Sequence, residues 1–372
     1  MVGTAPWQQL HAIQQQAVPL PHPGSNPPDP GTAGVFQYRQ YRLCIHQTRG
    51  RGAMTIRFAD LPAEFKQVDD AWAWRQLLRC WLTIGAAIWL CGLSDNPLVW
   101  LLAFVVVGHM QYHLSVLGHH GLHRNLFSSQ RVNEFVSRYL LHGPLGLPNE
   151  AMRRNHMTHH RYFEQEQDYE RENYDFSLFG RDTPRGLLRW LIGAYTGGAV
   201  LPAVGRVLRG SGKQAKKDAS GGEGAPGAML WSTLRDWLPV MVSQLVLVCL
   251  WWWGTGHWWA YSLWFVAIFT LLAGFSATRA MLEHADPAEP PQRLMSFPCS
   301  AWQRYLLGAA NFNFHAEHHL YGGVPACHLE RLHHYLRERD ALPGVVLVPS
   351  YTERLGQLLS QLRLSSAEGG AR

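Results

Sequence analysis

Hydrophobic positions along this chain gather into two long stretches almost free of charge. From Cys80 to Gly118 the only charged residue is Asp95, and it sits in the turn-forming run Ser94-Asp95-Asn96-Pro97. From Trp237 to Thr278 there is no charge with His257 neutral, and the run is broken by Gly254-Thr255-Gly256. Each stretch is long enough for two helices of about 20 residues, the length that crosses about 30 Å of hydrocarbon. The pattern predicts helices over residues 74–93, 97–118, 237–253 and 258–278, paired as two hairpins of an all-α integral membrane fold. Arg75 and Arg79 fall in the first turns of the first helix, where long basic side chains can reach back to the interface. The run Trp190 to Gly205 is also uncharged, but it is short and holds Gly193, Gly197, Gly198, Pro202 and Gly205. It reads as an interfacial or partly embedded segment. Beyond residue 320, His328 to Arg339 and Tyr351 to Leu364 are amphipathic and predict helices packed beneath the bundle, the second of them in a C-terminal tail, residues 343–372.

Composition agrees with this reading. Charged residues are 16% of the chain, against roughly 25% in soluble domains. That argues against a disordered chain and against an ordinary soluble enzyme; the mean hydropathy of -0.15 averages apolar spans with polar segments. Six scattered cysteines with no CxxC pair exclude a disulfide scaffold and a cysteine zinc finger. Both tight turns lack Lys and Arg, whereas the segment between the hairpins carries Arg124, Arg131, Arg153, Arg154, Arg161, Lys213, Lys216 and Lys217. The positive-inside rule then puts that segment and both termini in the cytoplasm. Membrane orientation accounts for the basic balance, so no nucleic-acid partner is expected. Trp251, Trp252, Trp253, Trp258 and Trp259 flank the outer turn as an interfacial belt. Residues 1–53, with their proline-rich run from Leu20 to Gly31, are expected to be a disordered or non-native extension, the functional chain beginning near Met54. The linker Arg209 to Gly227 is expected to be flexible and cytoplasmic.

Histidine carries the candidate chemistry, with 20 residues against 27 acidic ones. Three groups stand out: His119-His120-Gly121-Leu122-His123, His156-Met157-Thr158-His159-His160 and His315-Ala316-Glu317-His318-His319. Positions i, i+3 and i+4 share one face of a helix. His119, His123, His156, His159, His160, His315, His318 and His319 can therefore converge, and eight imidazoles are too many for one tetrahedral zinc. They suit two metal ions of the kinds imidazole binds: Zn, Cu, Fe or Ni. Nearby acids should orient the outer ring N–H groups and balance charge, and Asp168, Glu283, Glu317 and Asp286 are the candidates. His284 is expected to be a ninth ligand, because it follows the fourth helix at the depth where His119 and His123 follow the second. His120 points about 100° away from His119 round the helix and is left out. His109 and His113 are expected to hydrogen-bond inside the bundle, and His142, His328, His333 and His334 to be surface or cap residues. If Trp190–Gly205 crossed the membrane, the third group would lie on the opposite side from the first two.

The ordered groups HxxxH, HxxHH and HxxHH around membrane hairpins resemble the membrane fatty acid desaturase superfamily, over roughly Met54 to Leu342. The most specific piece is Asn311-Phe312-Asn313-Phe314-His315-Ala316-Glu317-His318-His319-Leu320-Tyr321, similar to the family's third histidine box. Gly118-His119-His120-Gly121-Leu122-His123-Arg124-Asn125 resembles the first box, with His120 where the family commonly has an acid. Arg154-Asn155-His156-Met157-Thr158-His159-His160-Arg161 resembles the second, and Leu282-Glu283-His284-Ala285-Asp286-Pro287 a stretch where a histidine recurs near the iron. The resemblance implies four transmembrane helices and a cytoplasmic helical cap carrying the boxes. It implies a non-haem di-iron centre with two Fe ions, O2 as co-substrate, and Asp168, Glu283, Glu317 and Asn311 around the ligands. The implied reaction is desaturation of a fatty acyl chain. A hydroxylase or ketolase acting on a carotenoid-like or carrier-bound substrate is the alternative, and a histidine-lined metal transporter a remote one. No haem, flavin or iron–sulfur motif is present, so electrons are expected from an external ferredoxin-like donor.

Overall fold

The computed structural model describes residues 56–163, 165, 167–168, 170–171, 174, 183–198, 226–284, 294–342 and 344–369. Residues 1–53, most of the linker from Arg209, the run 199–205 and Asp286 lie outside the described residues. The described chain is helical apart from one two-stranded sheet.

Helix α1 (Asp70–Gly92) starts where the Asp69 side chain accepts the Trp72 N–H at 2.8 Å. That contact satisfies one of the donors a helix start leaves free. A short turn leads to α2 (Pro97–Leu122), capped by Asn96 with Pro97 in its first turn. Proline is tolerated there because its missing N–H would have had no partner. Helix α2 runs on through His119 and His120, past the end expected at residue 118. Next come α3 (Gln130–Val136), a π-helical turn (Ser137–His142) and α4 (Asn149–Tyr162), then α5 (Pro184–Tyr195). Helix α6 (Pro226–Thr255) continues through Pro239. A run of helical turns from Trp258 to His284 follows, comprising α7 (Tyr261–Ala267), a π-helical turn (Ile268–Leu272) and α8 (Ala273–His284). It reaches beyond the expected residue 278, so His284 is itself helical. Gly256 turns the chain between α6 and this run at φ +73°, a conformation few other residues adopt.

Among the described residues three helices are long and apolar enough to cross a membrane: Pro97–Leu122, Thr233–Thr255 and Trp258–His284. Helix α1 is 23 residues long and exposes Leu78, Leu82, Trp89 and Leu90, but Asp70, Arg75 and Arg79 make its first turns polar. Among the described residues the expected interfacial run is the end of α5, a 12-residue helix, about 18 Å long at 1.5 Å per residue. It packs on α8, where the Tyr195 hydroxyl lies 3.2 Å from that of Thr278.

Ile84, Val107, Leu114, Trp251 and Trp264 lie in the core of the long helices. Its polar edges are closed: Gln111 donates to the Trp264 carbonyl at 2.9 Å, and the Trp264 indole donates to the Pro144 carbonyl at 2.9 Å. The rest of the chain packs at the α2/α8 end. Strand β1 (Met295–Ser296) leads to α9 (Ala301–Leu306), α10 (His315–Leu320) and α11 (Leu329–Arg337). Strand β2 (Val346–Leu347) pairs in parallel with β1, Met295 opposite Val346, and α12 (Tyr351–Gly369) closes the chain. Val348, Tyr351 and Leu358 share a core with Met281, Leu282 and Phe297.

Candidate metal centre

Four segments bring histidines to one place. Helix α2 supplies His119 and its C-cap His123; α4 supplies His156, His159 and His160; α8 ends on His284; α10 carries His315, His318 and His319. Helix α10 begins after a tight turn in which Ala310 and Asn311 both have positive φ, 52° and 62°. Asn tolerates that region through its short polar side chain, and the Asn311 amide donates to the Ala326 carbonyl at 3.1 Å. Asn311 thus shapes the approach to α10.

The rings form two groups. Ligand nitrogens of His119, His123, His156, His160 and His318 all lie within 4.8 Å of one another, as do those of His159, His284 and His319. His315 stands at the edge of the second group, its Nε2 2.8 Å from Nε2 of His284. His160 and His319 stack at 4.3 Å between ring centres and join the groups. The eight box histidines and His284 are therefore gathered together. His120 is buried but belongs to neither group, and both its nitrogens lack a hydrogen bond among the described residues.

Nitrogen faces nitrogen three times: His119 with His318, His123 with His156, and His284 with His315, each Nε2 to Nε2 at 2.8 Å. Burial and then the neighbouring rings hold His123, His160, His315, His318 and His319 well below the usual imidazole pKa, and burial likewise lowers His156. Neutral rings meeting Nε2 to Nε2 offer lone pairs to a shared point, which fits a cation there. The Nε2 of His319 is buried without a hydrogen-bond partner among the described residues. Nine imidazoles in two groups thus fit two metal ions of the imidazole-binding kind.

Carboxylates stand behind several rings. Asp168 takes the Nδ1 of His159 at 3.0 and 2.9 Å through its two oxygens and also accepts the Tyr174 hydroxyl. Glu170 meets Nδ1 of His156 at 3.2 Å. Burial lowers the pKa of His159, but the charge of Glu170 and the bond to Asp168 outweigh it and hold it above the usual value. Burial would raise Glu170, yet His159 and His156 keep it below the carboxylate range. Glu283 lies 3.5 Å from Nδ1 of His315.

Several residues stand elsewhere than the sequence reading put them. Glu317 faces away from the histidine groups, taking Nδ1 of His333 at 2.6 Å and the Ser296 hydroxyl. His333 is fully buried rather than at the surface, and its partner there is Glu317. His142 is buried too, its Nδ1 2.8 Å from the Asn149 side chain. His109 and His113 hydrogen-bond inside the bundle as expected, to the carbonyls of Leu306 at 3.2 Å and Tyr305 at 2.9 Å. Glu170, Tyr174, Arg279 and Tyr351 escaped the sequence reading. The Asp168-x-Glu170 spacing just after the second box was the available signal for Glu170; contacts between distant segments bring in Arg279 and Tyr351.

Apolar helices of membrane-crossing length, ending on a buried cluster of metal-binding histidines, define a class of helical membrane protein with a polyhistidine centre. Comparison with known families makes this specific. The family model described as fatty acid desaturase matches residues 95–351, and the chain belongs to that family, whose members are oxidoreductases. No curated protein matches the chain.

Proposed function

We propose that the protein is a membrane di-iron enzyme that uses O2 to oxidise an unactivated C–H bond, and that its reaction is desaturation of a fatty acyl chain. The supporting observation is the convergence of nine histidines from four segments into two adjacent groups with carboxylates behind them. An alkyl C–H bond has no acidic proton and no electrophilic centre, so general acid–base groups cannot attack it. The redox metal supplies the oxidising chemistry when bound, and the protein supplies position and a dry site.

His119, His123, His156, His160 and His318 would hold one ion, and His159, His284, His315 and His319 the other. Asp168 and Glu170 accept the Nδ1–H of His159 and His156, which fixes the ring tautomer and leaves each Nε2 for metal. Glu283 Oε2 faces Nδ1 of His315 at 3.5 Å without a hydrogen bond. The buried rings exclude water, and an acyl chain reaches them from the bilayer between apolar helices. Electrons come from an external ferredoxin-like donor, drawn by the basic face that carries Arg154 and Arg161.

Helices α1, α2, α6 and the run Trp258–His284 then form two hairpins, with the boxes, the helical cap and both termini cytoplasmic. The absence of Lys and Arg from both turns supports this orientation. Trp190–Gly205 does not cross. A cysteine placed at Ser211 should stay unlabelled by an impermeant reagent applied to intact cells, and labelling from outside would overturn the topology.

The reaction is tested by expressing the protein and comparing host lipids by mass spectrometry. Loss of two hydrogens from an acyl chain is the expected result. An added oxygen would assign a hydroxylase instead, and unchanged acyl chains beside iron-loaded protein and a working donor would remove acyl lipid as the substrate.

A further inference from the structure

We infer that the C-terminal segment is a working part of the second metal position: Tyr351, acting through Glu283, positions His315. This rests on the reading that the histidines hold two ions. Among the nine, His315 belongs to neither close group. It stands outside the close three-ring group, touching it by Nε2 at 2.8 Å from His284. Its other nitrogen has no hydrogen bond among the described residues and faces Glu283 Oε2 at 3.5 Å. What fixes the Glu283 carboxylate therefore fixes the ring.

Two groups hold that carboxylate. Arg279, one helical turn earlier, approaches Oε2 at 3.2 Å, and its guanidinium lies 4.1 Å from the centre of the Phe312 ring. The Tyr351 hydroxyl donates to Oε1 at 3.1 Å. The terminal torsion of Glu is broad, so a single ion pair leaves the carboxylate free to turn towards the cation. A second bond to the other oxygen sets its plane and keeps Oε2 between Arg279 and His315. Tyr351 is suited to this because its own position is fixed. Its ring stacks on Phe297 at 4.2 Å and 19°, and its backbone N–H donates to Gln303 at 3.1 Å. The β1–β2 pairing ties the preceding residues to the same wall. Tyr351→Phe thus removes the hydroxyl and leaves the packing.

The test is anaerobic titration of the metal-free full-length protein in detergent with Fe(II), for wild type and Tyr351→Phe, with Mössbauer spectra of the loaded samples. Wild type should take two ions. The variant should keep one at unchanged affinity and bind the other about 10-fold more weakly, the lower end of what residues supporting metal ligands contribute. Only one of the two iron signals should change. Thr352→Ala, which removes a bond from the same segment to Gln303 without touching Glu283, should titrate as wild type. Identical titrations and spectra for Tyr351→Phe would overturn the inference and leave the two-ion reading standing. Equal weakening of both positions would overturn it as well, since a general loss of packing acts on both. A wild-type protein that takes no iron would remove the two-ion reading and this inference with it.

Discussion

The two histidine groups are held in place differently. In the first, five rings from α2, α4 and α10 lean on one another and on Phe312, whose ring lies 4.6 Å from that of His119. Among the described residues one carboxylate, Glu170, stands behind it at 3.2 Å. In the second, three rings and the outlying His315 are backed by Asp168 through both oxygens and by Glu283. Helix packing sets the first group. Polar contacts from the chain after α4 and from the C-terminal segment set the second. The lesson is that a crowded group needs little support from outside, whereas a sparse one is only as well placed as the carboxylates behind it.

On the proposed two-ion reading, ligand removal should not distinguish the groups. His318→Ala in the first and His159→Ala in the second should each abolish product formation in a chain that still inserts into membranes. Turnover surviving in either variant would remove that group from the chemistry. A sharper contrast comes from His284→Ala beside His120→Ala. The first should lose activity and weaken iron binding at the second position. The second should keep both ions, because His120 stands outside both groups. Equal iron per chain in the two variants would break the division.

Carboxylate removal tests the comparison directly. Asp168→Asn should weaken one iron by up to about 100-fold and Glu170→Gln the other by only about 10-fold, across the range such supporting residues show. The reverse order, read by Fe(II) titration, would make packing the weaker support. The smallest effect lies outside both groups, at Glu134. Burial opposes its ionisation, but Arg153, Arg124 and Arg138 prevail and hold its pKa below 4.5. A carboxylate depressed on folding stabilises above its unfolded pKa and loses that contribution as pH falls through the folded one. Glu134→Gln should therefore cost about 1 kcal/mol at neutral pH, with the difference from wild type shrinking below pH 4.5. Thermal melts at the two pH values would read it, and a constant difference would remove the ion network from the account.

Much of this was legible in the sequence because it is local. Charge-free stretches, the capped turn before Pro97 and the i, i+3, i+4 spacing of the boxes each depend on neighbours along the chain. The depth argument for His284 also rests on local sequence, and the ring lies in the second group. What escaped depends on distant segments. Glu317 sits among ligands in sequence, yet on the six-residue α10 it faces His333, and nothing in the spacing marks His333 as buried. Tyr351 reaches Glu283 only because β2 finds β1. The tail drawn from residue 343 follows from amphipathic pattern alone, which records that a helix packs but not what it touches.

At the far end of α2 from the histidines, the two turns of the long helices meet backbone to backbone. A methyl group on Gly92 would fall inside the carbonyl oxygen of Gly254, and one on Gly254 would press on Ile88. The bundle is thus built like tweezers, clasped at one tip and carrying its ligands at the other. Helix α2 has 26 residues, about 39 Å of lever at 1.5 Å each. Metal–ligand distances tolerate only about 0.2 Å, so a small change of angle at the clasp becomes a large one at the centre. Gly92 and Gly254, which touch no histidine of the groups, let α1 and α6 come this close.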